Sequence, residues 1–227
     1  MHIPDGYLGP QTYGLLYGVM VPLWALASRL VRRTLKQSQV PFLALGAAFS
    51  FVVMMFNIPI PGGSSGHAVG GVIVAILLGP WAALIAISTA LAIQALIFGD
   101  GGITAIGANC FNIAFVMPMT GYLVYRLVGK GATATSRRRF IAGAVAGYVG
   151  LNMAALTTAI MLGLQPLLFR GSDGQPLYFP YPLKVTIPVM VVQHLLFFGI
   201  IEAVLTALLI IYFQRSGPDI LESTGMK

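Results

Sequence analysis

Long apolar runs separated by short polar gaps fill most of the chain. The clear runs are 12–30, 41–57, 103–127, 140–164 and 184–213. Each approaches the roughly 20 residues that a membrane-spanning helix needs. The stretch 67–98 is different. As one helix it would reach roughly 50 Å, too long for a hydrocarbon core of about 30 Å without strong tilt. Gly79-Pro80 interrupts it. A proline costs a helix little in its first turn and much in its interior. The stretch is therefore either one kinked helix or two short ones joined at Gly79-Pro80.

Charge decides between them. Arg29, Arg32, Arg33 and Lys36 follow the first run and fix that end in the cytoplasm. If 67–98 crosses twice, the cluster Arg126, Lys130, Arg137, Arg138 and Arg139 also falls inside, with Arg215 and Lys227. Eleven of the 13 Lys and Arg residues are then cytoplasmic, leaving only Arg170 and Lys184 outside. The expectation is an all-α, polytopic membrane protein of seven transmembrane helices. Its amino terminus lies outside and its carboxyl terminus inside, with residues 1–227 forming one domain. This topology gathers the amino terminus, the loop 57–67, the turn 99–109 and the loop 165–182 on the extracytoplasmic face.

Composition agrees. Of the 227 residues 57% are hydrophobic and only 8% charged, with a mean hydropathy of +0.87; a soluble domain carries about 25% charged residues. The net charge of +7 sits in the gaps between apolar runs, which argues against a nucleic-acid partner. A single cysteine, Cys110, excludes an intrachain disulfide.

The chain opens "MHIPDG", and no Lys or Arg occurs before Arg29. A secretory leader needs a basic segment before its apolar core, so the leader reading is weak. His2 is also too large for the usual removal of Met1. The mature chain is expected to start with a free Met1 amine once any formyl group is removed. That amine, the His2 amide nitrogen and the His2 imidazole then lie in a row. Amine and amide nitrogens close a five-membered ring on a metal, and the amide nitrogen and Nδ1 close a six-membered one. The amide must lose its proton, which favours a metal taking planar nitrogen donors, Ni(II) or Cu(II). A second histidine could fill the fourth corner. His67 follows a Gly/Ser loop on the same predicted face, with Ser64 and Ser65 beside it; His194 is placed mid-span, too deep for the amino end to reach easily. Asp5, Asp100 and Asn109 are candidates to orient a ligand, against the plainer reading of Asp100 and Asn109 as turn and capping residues. Cys110 and the methionines Met54, Met55, Met117 and Met119 read as packing. His194 and Glu202 share a helix face, either as a buried polar pair or as functional groups.

"MHIPDGYLGP", "GGSSGH" ending at His67, "GDGGITAIGANCFNIAF" at 99–115 and "HLLFFGIIEAVLTALL" at 194–209 together resemble the CbiM/NikM family. These are substrate-capture subunits, or S components, of energy-coupling-factor transporters for nickel and cobalt. The likeness covers essentially the whole chain, with Pro4 and Asp5 as mild departures. It implies a six-helix S-component core plus one amino-terminal helix. It implies metal ligands at Met1, His2 and His67, with Ni2+ or Co2+ as the transported substrate and no organic cofactor. The implied partners are a transmembrane coupling protein, a cytoplasmic ABC-type ATPase and a small accessory membrane protein in a prokaryotic plasma membrane. Ala44 and Ala48 offer a small-residue surface for the coupling protein, or for ordinary packing within the subunit. No GxxxxGK[ST] occurs, so ATP hydrolysis belongs to another chain and this one is not an enzyme. The rivals are an ion-coupled metal permease, for which Glu202 alone is thin support; an intramembrane metalloenzyme, which needs an open metal position; and a copper(I) protein built on methionine.

Overall fold

The structure, a computed structural model, describes residues 1–60 and 64–222. Among these, seven helical rods account for most of the chain: α1 (Pro10–Thr34), α2 (Val40–Met54), α3 (Gly71–Leu78), α4 (Pro80–Phe98), α5 (Ile106–Val128), α6 (Arg137–Leu168) and α7 (Leu183–Ser216). Five of them, all but α2 and α3, are long and apolar enough to cross a membrane. Their ends follow the sequence signals. Prolines open α1 and α4 at the first helical position, Ser136 caps α6 by accepting from the Arg138 amide, and Arg32 and Arg33 close α1.

The stretch 67–98 is broken where the sequence predicts. α3 ends at Leu78, Gly79 adopts φ 89°, ψ 153°, and Pro80 begins α4. That backbone conformation is essentially open to glycine alone. α3 has only eight residues, about 12 Å of helix, too short to cross a bilayer by itself. It is instead enclosed by protein, with Val72 to Ile76 all buried. Irregular backbone at membrane depth is tolerated in such a position.

α6 is the helix around which its neighbours close. Glycines on it let them approach to backbone distance: a Cβ at Gly150 would lie 2.8 Å from the Met117 carbonyl of α5, one at Gly147 2.9 Å from the Glu202 carbonyl of α7, and one at Gly163 2.8 Å from the Leu183 Cα. Small residues are the usual means of close helix packing where apolar surface supplies no contrast with lipid. α1 lies on the outside of this group. Its Trp24 donates to Ser88 of α4 at 2.9 Å, and its Tyr17 hydroxyl donates to the Ile103 carbonyl at 2.6 Å. On α2, Ala44 and Ala48 are exposed while Gly46 packs against Val74 of α3.

Two features escape the reading by apolar runs. A short antiparallel hairpin, β1 (Ile58–Ile60) with β2 (Ser64–Gly66), pairs Ile58 with Gly66, and its second strand leads directly into His67. Three helices also carry π-helical segments, at Gln94–Phe98, Cys110–Val116 and His194–Phe198.

Gly79→Ala should lower stability in detergent by about 1–3 kcal/mol, the cost of this backbone conformation for a residue with a Cβ. Space is not the obstacle, because nothing lies within 4 Å of an added Cβ there. Gly99→Ala meets equally open space at a left-handed φ of 67° and should cost about 1–2 kcal/mol. Paired unfolding measurements check the order; an unchanged midpoint for Gly79→Ala would show that the break is not fixed by that residue.

Candidate metal site

The amino-terminal segment enters the helix bundle. Met1, His2 and Ile3 are buried, His2 to 3% exposure and the other two completely. A polar chain end can be placed there only if its donors and acceptors are met. Asn109, in the first turn of α5, does most of this. Its Oδ1 accepts from the Ile3 amide at 2.8 Å and its Nδ2 donates to the Ile3 carbonyl at 3.1 Å. The same carbonyl accepts from the Gly102 amide at 2.8 Å. Asp5, exposed, accepts from the Ile103 amide at 3.0 Å and the Thr104 amide at 2.8 Å, and from the Thr104 hydroxyl. The hydrogen bond from Thr104, helped by the two amides and opposed by slight burial, holds the Asp5 carboxyl below its usual range. Further along, the Gly9 amide donates to Gln165 of α6 at 2.9 Å, and Phe179 of the 165–182 loop donates to the Tyr7 carbonyl at 3.2 Å.

Glycine at 101 and 102 is required by this closeness. A Cβ on Gly102 would stand 2.4 Å from the Asp5 nitrogen, and one on Gly101 3.1 Å from Asn109 Nδ2 and 3.6 Å from the His2 Cβ. The Gly-rich turn is thus the floor under the amino terminus.

The nitrogen donors converge above it. The Met1 amine contacts the Ser65 carbonyl and lies 3.1 Å from the Ser65 hydroxyl. The rings of His2 and His67 stack, with centroids 4.6 Å apart and planes 24° apart. His2 Nδ1 lies 3.0 Å from Asp100 Oδ1, in ion-pair range although off the directions of a hydrogen bond. Asp100 also accepts from Asn57 at 3.2 Å. In His67, Nδ1 lies 3.0 Å from the Ala68 carbonyl. A carbonyl can only accept, so this nitrogen carries the proton and Nε2 carries the lone pair. That Nε2 is buried without a hydrogen-bond partner, and so is Nε2 of His2.

Burial sets the protonation. It pushes the Met1 amine down from 8.0 to about 4, against the pull of Asp100. It also lowers His2, where the pull of the adjacent Asp100 carboxylate opposes it and the nearby amine assists it. For Asp100 burial acts upward, but His2, the amine and Asn57 outweigh it and leave the carboxyl below its usual range. Around neutral pH the site therefore holds neutral nitrogen donors beside one carboxylate.

Met1, His2, Ser65, His67, Asp100 and Asn109 are thus brought together, with Asp5 clamping the chain just outside. Ser64 lies in β2, but its side chain is outside the described residues. The sequence reading placed His194 out of the amino end's reach. In the structure its ring lies 5.1 Å from the ring of Phe198, which packs on Gly66 next to His67.

Residues 2–220 match the family model described as the cobalt uptake substrate-specific transmembrane region, CbiM. The chain belongs to the CbiM family. This CbiM-family chain is 53% identical over 97% of its length to the fused nickel transport protein NikMN of Rhodobacter capsulatus, and it spans 64% of that relative's length. It is 44% identical to a putative metal transport protein of Methanocaldococcus jannaschii, covering 98% of this chain and 96% of that one. The cobalt transport protein CbiM of Geobacter sulfurreducens is 30% identical over the whole of this chain and spans it with 63% of its own length. A crystal structure of a truncated transition metal transporter superposes with a TM-score of 0.89 at 52% identity, covering 94% of this chain and 97% of the other. Membership and the apolar helices together make this a multi-pass membrane protein of a nickel/cobalt transport family.

Replacing Asn109 by Ala leaves the buried Ile3 amide without its acceptor, a loss of about 1–3 kcal/mol. Hydrogen exchange at Ile3 should then quicken by roughly tenfold to hundredfold, with exchange in α6 unchanged. Equal exchange in both proteins would mean that other contacts hold the segment.

Proposed function

We propose that this chain captures Ni2+ or Co2+ at the extracytoplasmic face and is the substrate-specific subunit of an energy-coupling-factor importer. The ligands are the Met1 amine, the deprotonated His2 amide, His2 Nδ1 and His67 Nε2. The observation that carries the reading is the pair of buried imidazoles stacked at 4.6 Å beside a buried chain terminus, with the lone-pair nitrogen of His67 lacking any partner. Among the described residues no group of three or more His, Cys, Asp or Glu side chains could hold a metal. Backbone nitrogens can complete such a site, and two of those stand at Met1 and His2.

The surrounding bonds suit that chemistry. The Ile3 amide is committed to Asn109, so chelation along the backbone stops at His2. Binding exchanges the Ser65 contact of the amine and the Asp100 contact of Nδ1 for the metal. Asp100 then remains beside a cation, where its carboxylate offsets charge. Four nitrogens in a plane match Ni(II). Closed coordination of this kind suits capture and handover better than catalysis, which needs an open position. The ion-coupled permease is disfavoured because Glu202, buried in α7, is taken up by backbone amides. The partners that follow are a transmembrane coupling protein, to which the exposed Ala44 and Ala48 of α2 present small side chains, a cytoplasmic ABC-type ATPase and a small accessory membrane protein. The amino terminus then faces outward from a prokaryotic plasma membrane.

The decisive experiment compares equilibrium nickel binding by four forms: the native terminus, one alanine added before Met1, a carboxyl-terminal tag, and His67→Ala. The added alanine turns the amine into an amide and moves every donor, so binding should be lost while the fold persists. The carboxyl-terminal tag should have no effect, and His67→Ala should weaken binding by more than about tenfold, one metal–ligand bond being removed. Undiminished binding by the alanine-extended form would remove the amine from the ligand set. A second measurement addresses the amide. Since the amine and His2 are already neutral near pH 7, nickel titration in weak buffer should release about one proton per metal, that of the amide. A titration without acid release excludes the amidate.

A further inference from the structure

Glu202 lies on the interior side of α7, fully buried, and has no ion pair among the described residues. Its carboxylate accepts from the Val69 amide at 2.8 Å through Oε2, and from the Gly70 amide at 3.1 Å through Oε1 and 3.0 Å through Oε2. Gly70 sits at φ 70° at the amino end of α3, and its own segment supplies no side-chain cap. Part of the role of Glu202 is therefore to satisfy the orphan amides of a helix that starts inside the protein.

The bond to Val69 has a second consequence. The Val69 N–H and the Ala68 C=O belong to one peptide unit. Its nitrogen donates to Glu202, and its oxygen accepts from His67 Nδ1 at 3.0 Å. A carboxylate, a peptide and an imidazole thus form one hydrogen-bonded chain ending at the unpartnered Nε2 of His67. Metal-binding histidines are commonly fixed and made more basic by a carboxylate or carbonyl on the far ring nitrogen. Here both are present in series, and hydrogen bonds in series reinforce one another at low dielectric.

We propose that Glu202 is a positioning residue for the metal site, acting on His67 through the Ala68–Val69 peptide. It fixes the Nδ1–H tautomer, the ring orientation and the donor strength of Nε2. The inference rests on the proposed ligand set. Glutamine at 202 keeps the size but has one acceptor oxygen for two amides, and it turns an N–H donor toward one of them.

The test uses the full chain in detergent with 15N-labelled histidine, His67→Ala identifying the His67 signals. In the wild type, His67 should be the Nδ1–H tautomer. In Glu202→Gln that tautomer should lose its dominance, and nickel affinity should fall by roughly tenfold to hundredfold, as for other residues that support a metal ligand. The visible band of planar Ni(II) should shift toward that of His67→Ala. Thr206→Val, one turn further along the same buried face, is the packing control and should change stability without moving tautomer or band. A wild type carrying Nε2–H overturns the proposal, even if Glu202→Gln does not fold. So does Glu202→Gln with native affinity, tautomer and band. If instead the alanine-extended wild type keeps its nickel, the ligand set is wrong, while the tautomer measurement still reads the relay itself.

Discussion

A polar chain end buried in a helical bundle is the constraint on which the other features depend. The first three residues bring an amine, amides, carbonyls and an imidazole to a place where water is scarce. Each unmet group there costs about 1–3 kcal/mol. The neighbouring sequence is accordingly full of groups able to meet them: the two-way amide of Asn109, the Gly102 N–H, the carboxylate of Asp5 spanning two amides, and Gln165 under Gly9. The glycines at 101 and 102 follow from the same constraint, since side chains there would occupy the space of Asp5 and Asn109. Both ring nitrogens of His2 and Nε2 of His67 are left without hydrogen-bond partners, while both backbone groups of Ile3 have theirs.

Burial also prepares the donors chemically. An exposed amine near its reference pKa of about 8 is mostly protonated at neutral pH, and a protonated amine cannot bind metal. Taking it out of water lowers it to about 4, so the proton is already gone. Asp100 supplies a negative charge beside these donors, 3.0 Å from His2 Nδ1. The site is built from a buried chain end and a loop, and not from helix interiors.

Much of this was legible in the sequence because it depends on local rules. Gly79-Pro80 marks a helix break through backbone sterics alone, and the structure breaks there. The basic clusters mark helix ends. His2 and His67 could be paired because topology places their loops on one face. Other features are products of tertiary contact. Glu202 is 133 residues from Val69, and no periodicity or spacing links them. Asn109 was recognisable as a turn residue, but its grip on both polar groups of Ile3 requires the amino terminus to be inside the bundle. His194 was assigned by depth along its helix. The packing of its neighbour Phe198 on Gly66, made possible by an absent side chain, has no signature in spacing.

The start of α3 connects these observations. α3 begins at Gly71, just after the left-handed Gly70, and both residues are buried. Its first amides then need an acceptor. Glu202 meets that need, although burying a carboxyl group is expensive. Its Oε2 accepts from both the Val69 and the Gly70 amides, and its Oε1 from Gly70 again. The Val69 amide belongs to the peptide whose carbonyl accepts from His67 Nδ1, so the cap of α3 and the hold on the His67 ring meet at one peptide.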